Sequence, residues 1–406
     1  MPQFRRVLAA EVVSNFGSML SRLVIPWIAT LVLGATPLQM GVLAVADVAA
    51  GALGALLLGV LVDRHSTRTV MVAADLLRAL FLALLALAAW RGSVSLVLLM
   101  VVAALSGLAT MAFELARSAW IARYVETAAL ATRNAQLSAA GNITEAASFG
   151  IGGWIYQALG GVLSLAIDAA SYVVSALLLI RIAHVPPATH GAQRPNLRVL
   201  ADEARVGMRT LLREPTLRGL TWVHIVVVLA MSLSSTSYMI YVARDLALET
   251  GVLGTIFAVG GVGSALGAVC APRIGRRFGS RSAAVLGLGF AALGALLIPL
   301  ATAPVAFAIV LLVAHQFIGD GGFVVHEIHD RTLRQSIAPA DQLAKVDAGI
   351  RMLGQLTIVA GALGGGVVAT AIGARAALFL AAAILIGATL LAQAVLARSP
   401  RVGLAG

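Results

Sequence analysis

Long apolar runs, broken only by glycine, proline or charge, follow one another along almost the whole chain. Runs of about 20 apolar residues match the hydrocarbon core of a bilayer. They are continuous and do not alternate, which argues against a β-barrel and for helices that satisfy their own backbone in lipid. Twelve spans are predicted, at 8–32, 37–62, 69–90, 94–116, 136–158, 162–182, 216–242, 252–272, 283–301, 305–328, 349–371 and 376–397. The fold expected is therefore an all-α polytopic membrane protein. Only 12% of residues are charged against 60% hydrophobic, about half the charged share of a soluble domain. That excludes an ordinary soluble enzyme, a nucleic-acid-binding domain and a disordered chain.

The net charge of +11 reads as loop charge, because basic residues hold cytoplasmic loops inside. Of the 29 Lys and Arg, 24 fall on the side of the N-terminus and 3 (Arg91, Arg244, Arg375) on the other, with Arg22 and Arg78 inside spans. Both termini are thus expected in the cytoplasm, with the chain in the cell (inner) membrane. The first apolar run is too long for a signal-peptide core and reads as an uncleaved span. Cys270 is the sole cysteine, so no intramolecular disulfide can form. One hydrophilic segment, 183–215, separates spans six and seven. Within it, 197–214 has the pattern of an amphipathic helix with Arg198, Arg205, Arg209 and Arg213 on its polar side. The expected organisation is a six-helix bundle at 1–182, a cytoplasmic linker at 183–215 and a second six-helix bundle at 216–406.

Shifted by 213 residues, the sequence partly overlays itself. Gly41 and Gly54 fall on Gly254 and Gly267, Arg64 and Arg68 on Arg277 and Arg281, and Glu114 on Glu327. Leu130-Ala131 falls on Leu343-Ala344, Asn134 on Asp347, and Gly141, Gly152, Gly153 and Gly160 on Gly354, Gly365, Gly366 and Gly373. Six spans precede the repeat, so both halves have one orientation, related by an axis along the membrane normal.

Six plus six spans in parallel repeats resemble the major facilitator superfamily. The residues after span two carry the likeness. Gly59-Val60-Leu61-Val62-Asp63-Arg64-His65-Ser66-Thr67-Arg68 is similar to that family's cytoplasmic loop motif, Gly-x-Leu-x-Asp-Arg-x-Gly-Arg-Lys, with Ser66 in place of Gly and Thr67 in place of a basic residue. Asp75-Leu76-Leu77-Arg78-Ala79, Ala116-Arg117-Ser118-Ala119 with Asn134-Ala135, and Ile167-Asp168-Ala169-Ala170-Ser171-Tyr172 resemble the bacterial branch of enterobactin exporters and macrolide efflux proteins. The Gly-Pro pair usual in span five of exporters is absent from Gly150-Ile151-Gly152-Gly153-Trp154. The resemblance implies two pseudo-symmetric bundles that expose a central cavity to each side in turn.

A charge in hydrocarbon costs roughly 3 kcal/mol or more, so each ionisable residue within a span is a candidate site. Arg22 and Asp47 lie at one depth on antiparallel neighbours, either as a cargo- or proton-binding pair or as a fixed structural ion pair. Glu145 shares a helical face with Gly141, Ser148 and Gly152, has no local cation, and is the expected proton carrier. The glycines Gly260, Gly263 and Gly267 of span eight are expected to face it. His315 and Asp320 in span ten are deeper candidates for protonation. Asp63, Arg64, Arg68, Glu114 and Arg117 gather at the cytoplasmic ends of spans two to four, and Glu327 at that of span ten. They form either a cytoplasmic gate or plain topology markers. Asp75 and Arg78, three apart, can pair. Histidines and acids at 326–330 invite a metal reading, but their order is not His-Glu-x-x-His. Trp27, Trp90, Trp120, Trp154 and Trp222 lie mostly near span ends, where interfacial aromatics belong.

No Gly-x-x-x-x-Gly-Lys-Ser/Thr loop occurs in the sequence, so no P-loop ATPase drives it. The function expected is secondary active export of an amphiphilic, drug- or siderophore-like small molecule by proton antiport. No cofactor or metal is expected, and the proton gradient is the energy source. The partners are cargo and lipid, with no nucleic acid, and the monomer is the working unit. Rival readings are an importer or uniporter of a small metabolite, and a non-transporting receptor or scaffold.

Overall fold

A computed structural model describes the backbone of residues 2–184, 197–339 and 342–398, and their side chains other than those of 2, 47, 52, 53, 55–57, 60, 63, 127, 128, 131, 197–204 and 344. The described residues form twelve α-helices: α1 Pro2–Trp27, α2 Pro37–Arg64, α3 Thr67–Trp90, α4 Leu96–Tyr124, α5 Thr127–Leu179, α6 Leu197–Arg213, α7 Pro215–Ile240, α8 Thr250–Leu300, α9 Val305–Ala314, α10 Gly321–Ile337, α11 Leu343–Ile372 and α12 Ala374–Arg398. Local signals set their starts. Pro37 and Pro215 occupy first turns, where a missing N–H costs nothing. Thr36 and Gln39 close a reciprocal capping box on α2, and the Glu214 carboxylate accepts from the Leu217 N–H at the start of α7.

Among the described residues, nine helices are long and apolar enough to cross a membrane. Two of these are broken midway. Gly160 in α5 has φ 74° and Gly279 in α8 has φ 78°. That left-handed conformation is open to glycine and ends a helix. Each leg is still long enough, at 1.5 Å per residue, to cross a core of about 30 Å. Counting both legs of α5 and α8, and adding the 28 residues of α2, is consistent with the twelve passes expected. The segment 273–282, expected as a loop, is instead the continuation of a helix through Pro272 as far as the Gly279 break.

The described residues form two compact units, 1–195 with 247–258, and 196–246 with 259–406. The first unit packs α1 on α5, α2 on α4, and α3 on α4 and α5. Phe4, Met71, Phe113, Trp120, Ile121 and Leu179 centre one of its cores. The second packs α7 between α11 and α12, with Val223, Val227, Leu288 and Leu385 at its centre. α3 shows the membrane pattern plainly. Asp75, Arg78, Leu82 and Leu85 are buried, while Leu76, Leu77, Leu80, Leu84 and Leu87 are exposed on the opposite side, where lipid belongs.

The 213-residue offset is a structural repeat. α1 and α7 begin at Pro2 and Pro215 and end at Trp27 and Ile240, and α2 and α8 begin at Pro37 and Thr250. π-helical turns follow at Ile28–Val32 and Tyr241–Asp245 in the same register. Gly34 and Ala247 share a positive φ, as do Gly160 and Gly373.

Two expectations are corrected. Trp27 and Trp120 are not interfacial: both are fully buried, against Tyr156 and Tyr124 with ring centroids 4.9 and 4.5 Å apart. Trp90, Trp154 and Trp222 are exposed. The glycine row of α8 faces span ten, with Gly260 on Asp320, Gly263 on Phe317 and Gly267 on Gly321. The α8 residues that meet span five lie nearer its start: Gly254, where a Cβ would lie 2.8 Å from the Gly153 Cα, with Gly251, Thr255, Phe257 and Ala258. The amphipathic helix α6 packs within the second unit. Leu211 is buried with Leu217, Val346 and Ile350, and Thr210 donates to Gln342 at 2.5 Å.

Candidate functional site

In the first unit, polar groups of α1, α3, α4 and α5 meet inside the bundle. Asp75 and Arg78 pair on α3, with Asp75 wholly buried and Arg78 3% exposed. The Arg78 guanidinium lies between two rings, 4.8 Å from the Phe113 centroid and 4.2 Å from that of Tyr172. Ser175 donates to the other Asp75 oxygen at 2.6 Å. Asp168, also wholly buried, accepts from the hydroxyls of Ser21 and Ser171. Gly17 makes this possible, because a Cβ there would occupy the space of the Asp168 carboxylate and the Ser171 hydroxyl. Ser18 and Tyr172 share a hydrogen bond of 2.7 Å. Nearer the chain start, Arg117 of α4 pairs with Glu11 of α1.

Arg22 and Glu114 are exposed on α1 and α4, and the field of Arg22 acts on Glu114, as does that of Arg78. The Asp47 side chain, the partner expected for Arg22, lies outside the described residues. Glu145 is exposed and makes no hydrogen bond or ion pair among the described residues. It continues a polar stripe on one face of α5, Asn134, Ser138, Asn142 and Glu145, all exposed.

The Asp63 side chain lies outside the described residues, and Arg64 is exposed. Arg68 donates to the carbonyls of Ile180 and Ile182, at 3.4 and 3.3 Å, past the end of α5. A cation there suits the unpaired carbonyls of a helix C-terminus. Arg117 is taken by Glu11. Glu114 and its repeat mate Glu327 are both exposed.

In the second unit, span ten is interrupted by a π-helical segment, His315–Asp320. Such bulges re-aim side chains and recur at functional sites. The two residues singled out in this span open and close the segment. The His315 ring stands 6.1 Å from that of Tyr238. The Asp320 carboxylate lies over the bare backbone of Gly260, in the space a Cβ would take, and its charge acts on Tyr238. Among the described residues no cation pairs with Asp320. Further along, His326 Nδ1 meets the Ala284 carbonyl and His329 Nε2 that of Ala271, each at 2.9 Å. Asp330 pairs with Arg334.

Glu11 and Asp168 were not singled out from the sequence as sites. Both are acids inside spans, and the rule that flagged Glu145 and Asp320 flags them equally.

This is the interior of a polytopic helical membrane transporter, with charges held inside apolar bundles. Residues 7–346 match the family described as Major Facilitator Superfamily, and the chain belongs to that family. No curated protein matches its sequence. Its fold is similar to that of the nucleoside transporter NupG (TM-score 0.79, 14% identity, 98% of this chain and 100% of that one). It is also similar to a bacterial homologue of the iron transporter ferroportin in an inward-facing state (0.74, 17%, 97% and 98%). A third is a bacterial homologue of the human lysosomal transporter Spinster, inward-facing and unoccupied (0.74, 14%, 98% and 98%). At these identities the likeness is one of fold.

Proposed function

We propose that the protein is a proton-driven antiporter that exports an amphiphilic small molecule across the cell membrane by alternating access. The observation that carries coupling is Asp320. The acids Asp75, Glu11 and Asp330 have cationic partners, and Asp168 has two hydroxyl donors. Asp320 has neither among the described residues, and it sits on a π-helical interruption. An uncompensated carboxylate in hydrocarbon is costly, so the site takes up a proton or a cationic group. Asp320 therefore displaces Glu145 as the first candidate for the proton carrier, and Glu145 becomes the second.

The amphiphilic cargo is supported by the first unit. Charges at membrane depth face water, not lipid. The α5 stripe from Asn134 to Glu145, with exposed Arg22 and Glu114, offers a polar wall of mixed sign beside exposed Ile143 and Ile151. Outward direction is supported by the likeness of 75–79, 116–119 and 167–172 to exporters.

The test is transport into proteoliposomes with an imposed pH gradient, using a panel of lipophilic dyes and drugs as cargo. Asp320→Asn is expected to abolish accumulation against a gradient while keeping cargo-for-cargo exchange. Glu145→Gln is expected to keep both. If Asp320→Asn still concentrates cargo, coupling does not pass through Asp320. If Glu145→Gln alone fails to concentrate it, the carrier is Glu145.

A further inference from the structure

The repeat offset places His224 of α7 at the position of Glu11 of α1, and Asp330 of α10 at that of Arg117 of α4. In the first unit those positions hold a closed ion pair, acid on the first helix and base on the fourth. In the second unit the polarity is reversed, with the titratable base on the first helix and the acid on the fourth. There the pair is open. Asp330 is tied to Arg334, one turn along its own helix, through one oxygen. The other, Oδ1, is buried and has no donor among the described residues.

His224 lies within electrostatic reach of Asp330. It makes no hydrogen bond among the described residues. Of the groups acting on it, all from α10, Arg334 and His326 oppose charge on its ring and the Asp330 carboxylate favours it. From α11 it meets the bare backbone of Gly354, where a Cβ would stand 3.3 Å from Nε2. No charged group of α6, α11 or α12 is among those that act on it. The neighbouring rings of His326 and His329 are already engaged with backbone carbonyls. Histidine is the side chain whose charge ordinarily changes in the physiological range.

We propose that His224 and Asp330 form a proton-binding site of the second unit, in which protonated His224 donates to the free Asp330 Oδ1 and ties α7 to α10. The site is distinct from Asp320. It is the switchable counterpart of the Glu11–Arg117 tie, which stays closed because arginine keeps its charge. In the orientation given by the loop charges, both ties lie toward the cytoplasm. A rise in cytoplasmic proton concentration closes the second tie, and a fall releases it. The proposal rests on no choice of cargo.

The test is hydrogen–deuterium exchange of the full-length protein in lipid nanodiscs, compared at fixed intrinsic exchange rate from pH 5 to pH 8. Acidification is expected to slow exchange of the α7 and α10 peptides around His224 and Asp330 by about tenfold, the factor expected of a charge-assisted hydrogen bond. The α1 and α4 peptides around Glu11 and Arg117 should show no such change. His224→Gln should lose the response and exchange fast throughout. His224→Lys should exchange slowly at every pH. A response that persists in folded, monodisperse His224→Gln overturns the proposal, as does a pH-dependent response in His224→Lys. Asp320→Asn separates this site from the coupling reading, since it should retain the exchange response in full. Loss of the response in Asp320→Asn would assign the proton to Asp320 and overturn the proposal.

Discussion

Replacing Arg78 by methionine tests what holds the first unit together. Methionine keeps most of the apolar stem, so the loss is charge and stacking, not volume. Asp75 is then wholly buried with one remaining donor, Ser175. Removing one partner of a buried pair costs about 3–5 kcal/mol, because the other charge is left uncompensated. The guanidinium also leaves the faces of Phe113 and Tyr172, and desolvated stacking of this kind is worth about 1–2 kcal/mol. Arg78→Met should therefore destabilise by about 4–7 kcal/mol. The double variant Asp75→Asn/Arg78→Met removes the orphaned charge as well. It should recover about 3 kcal/mol of that loss and leave the stacking deficit. The assay is denaturant titration of purified protein in mixed micelles, arranged as a double-mutant cycle. Two results would refute the reasoning: a double variant no more stable than Arg78→Met, or a cost of Arg78→Met below about 1 kcal/mol. The first would mean that Asp75 is not left charged. The second would mean that water reaches the pair.

Other outcomes follow from packing and topology. A methyl at Gly263 would lie 2.5 Å from the Phe317 carbonyl oxygen on span ten, so Gly263→Ala should cost about 1–3 kcal/mol by overpacking; an unchanged thermal midpoint would show that the helices separate freely. At Gly260 the added methyl takes the place of the Asp320 carboxylate, so Gly260→Ala should impair gradient-driven accumulation more than it impairs thermal stability. Equal accumulation by Gly260→Ala and wild type would detach the Asp320 position from coupling. Reporter fusions after residues 6 and 398 should both read cytoplasmic, and a periplasmic reading at either would overturn the orientation drawn from the 24-to-3 split of basic residues.

The passes were legible in the sequence because lipid demands continuous apolar runs and backbone self-satisfaction. The repeat was legible too, since Gly160 and Gly373 hold the same left-handed turn, a conformation that constrains residue type. What each helix face meets was not legible. A helix that is apolar all round carries no stripe to say which side is core and which is lipid. Gly260, Gly263 and Gly267 were therefore readable as a close-packing row but not as a row against span ten. Trp27 and Trp222, both near span ends, look alike in sequence, yet one is core and the other exposed. Depth can be counted at 1.5 Å per residue, whereas direction around the helix depends on neighbours. Depth matches Arg22 to Asp47, whose side chain lies outside the described residues; among the described acids the field of Arg22 acts on Glu114, which depth alone did not single out. The π segment at His315–Asp320 has no residue signature of its own.

The differences between the halves say more about mechanism than the likeness does. Where the second unit has His315 and Asp320, the first has Val102 and Gly107 in an unbroken α4. Where the second has His224 and Asp330, the first has Glu11 and Arg117, a pair with no titratable base in the physiological range. Conversely, Asp75, Arg78 and Asp168 of the first unit fall on Leu288, Ala291 and Ala381 of the second. The first unit thus encloses its buried acids with arginine and hydroxyl donors. The second keeps an acid without a cation and a histidine opposite a half-used carboxylate. A duplicated scaffold would carry matching charges if they served only to hold helices together, because the packing problem is the same in both copies. The asymmetry suits the proton coupling proposed above. Under that proposal the first half supplies fixed charge at membrane depth for cargo. The second supplies groups whose charge follows the proton, so that protonation changes the second unit's internal contacts while the first unit's stay closed.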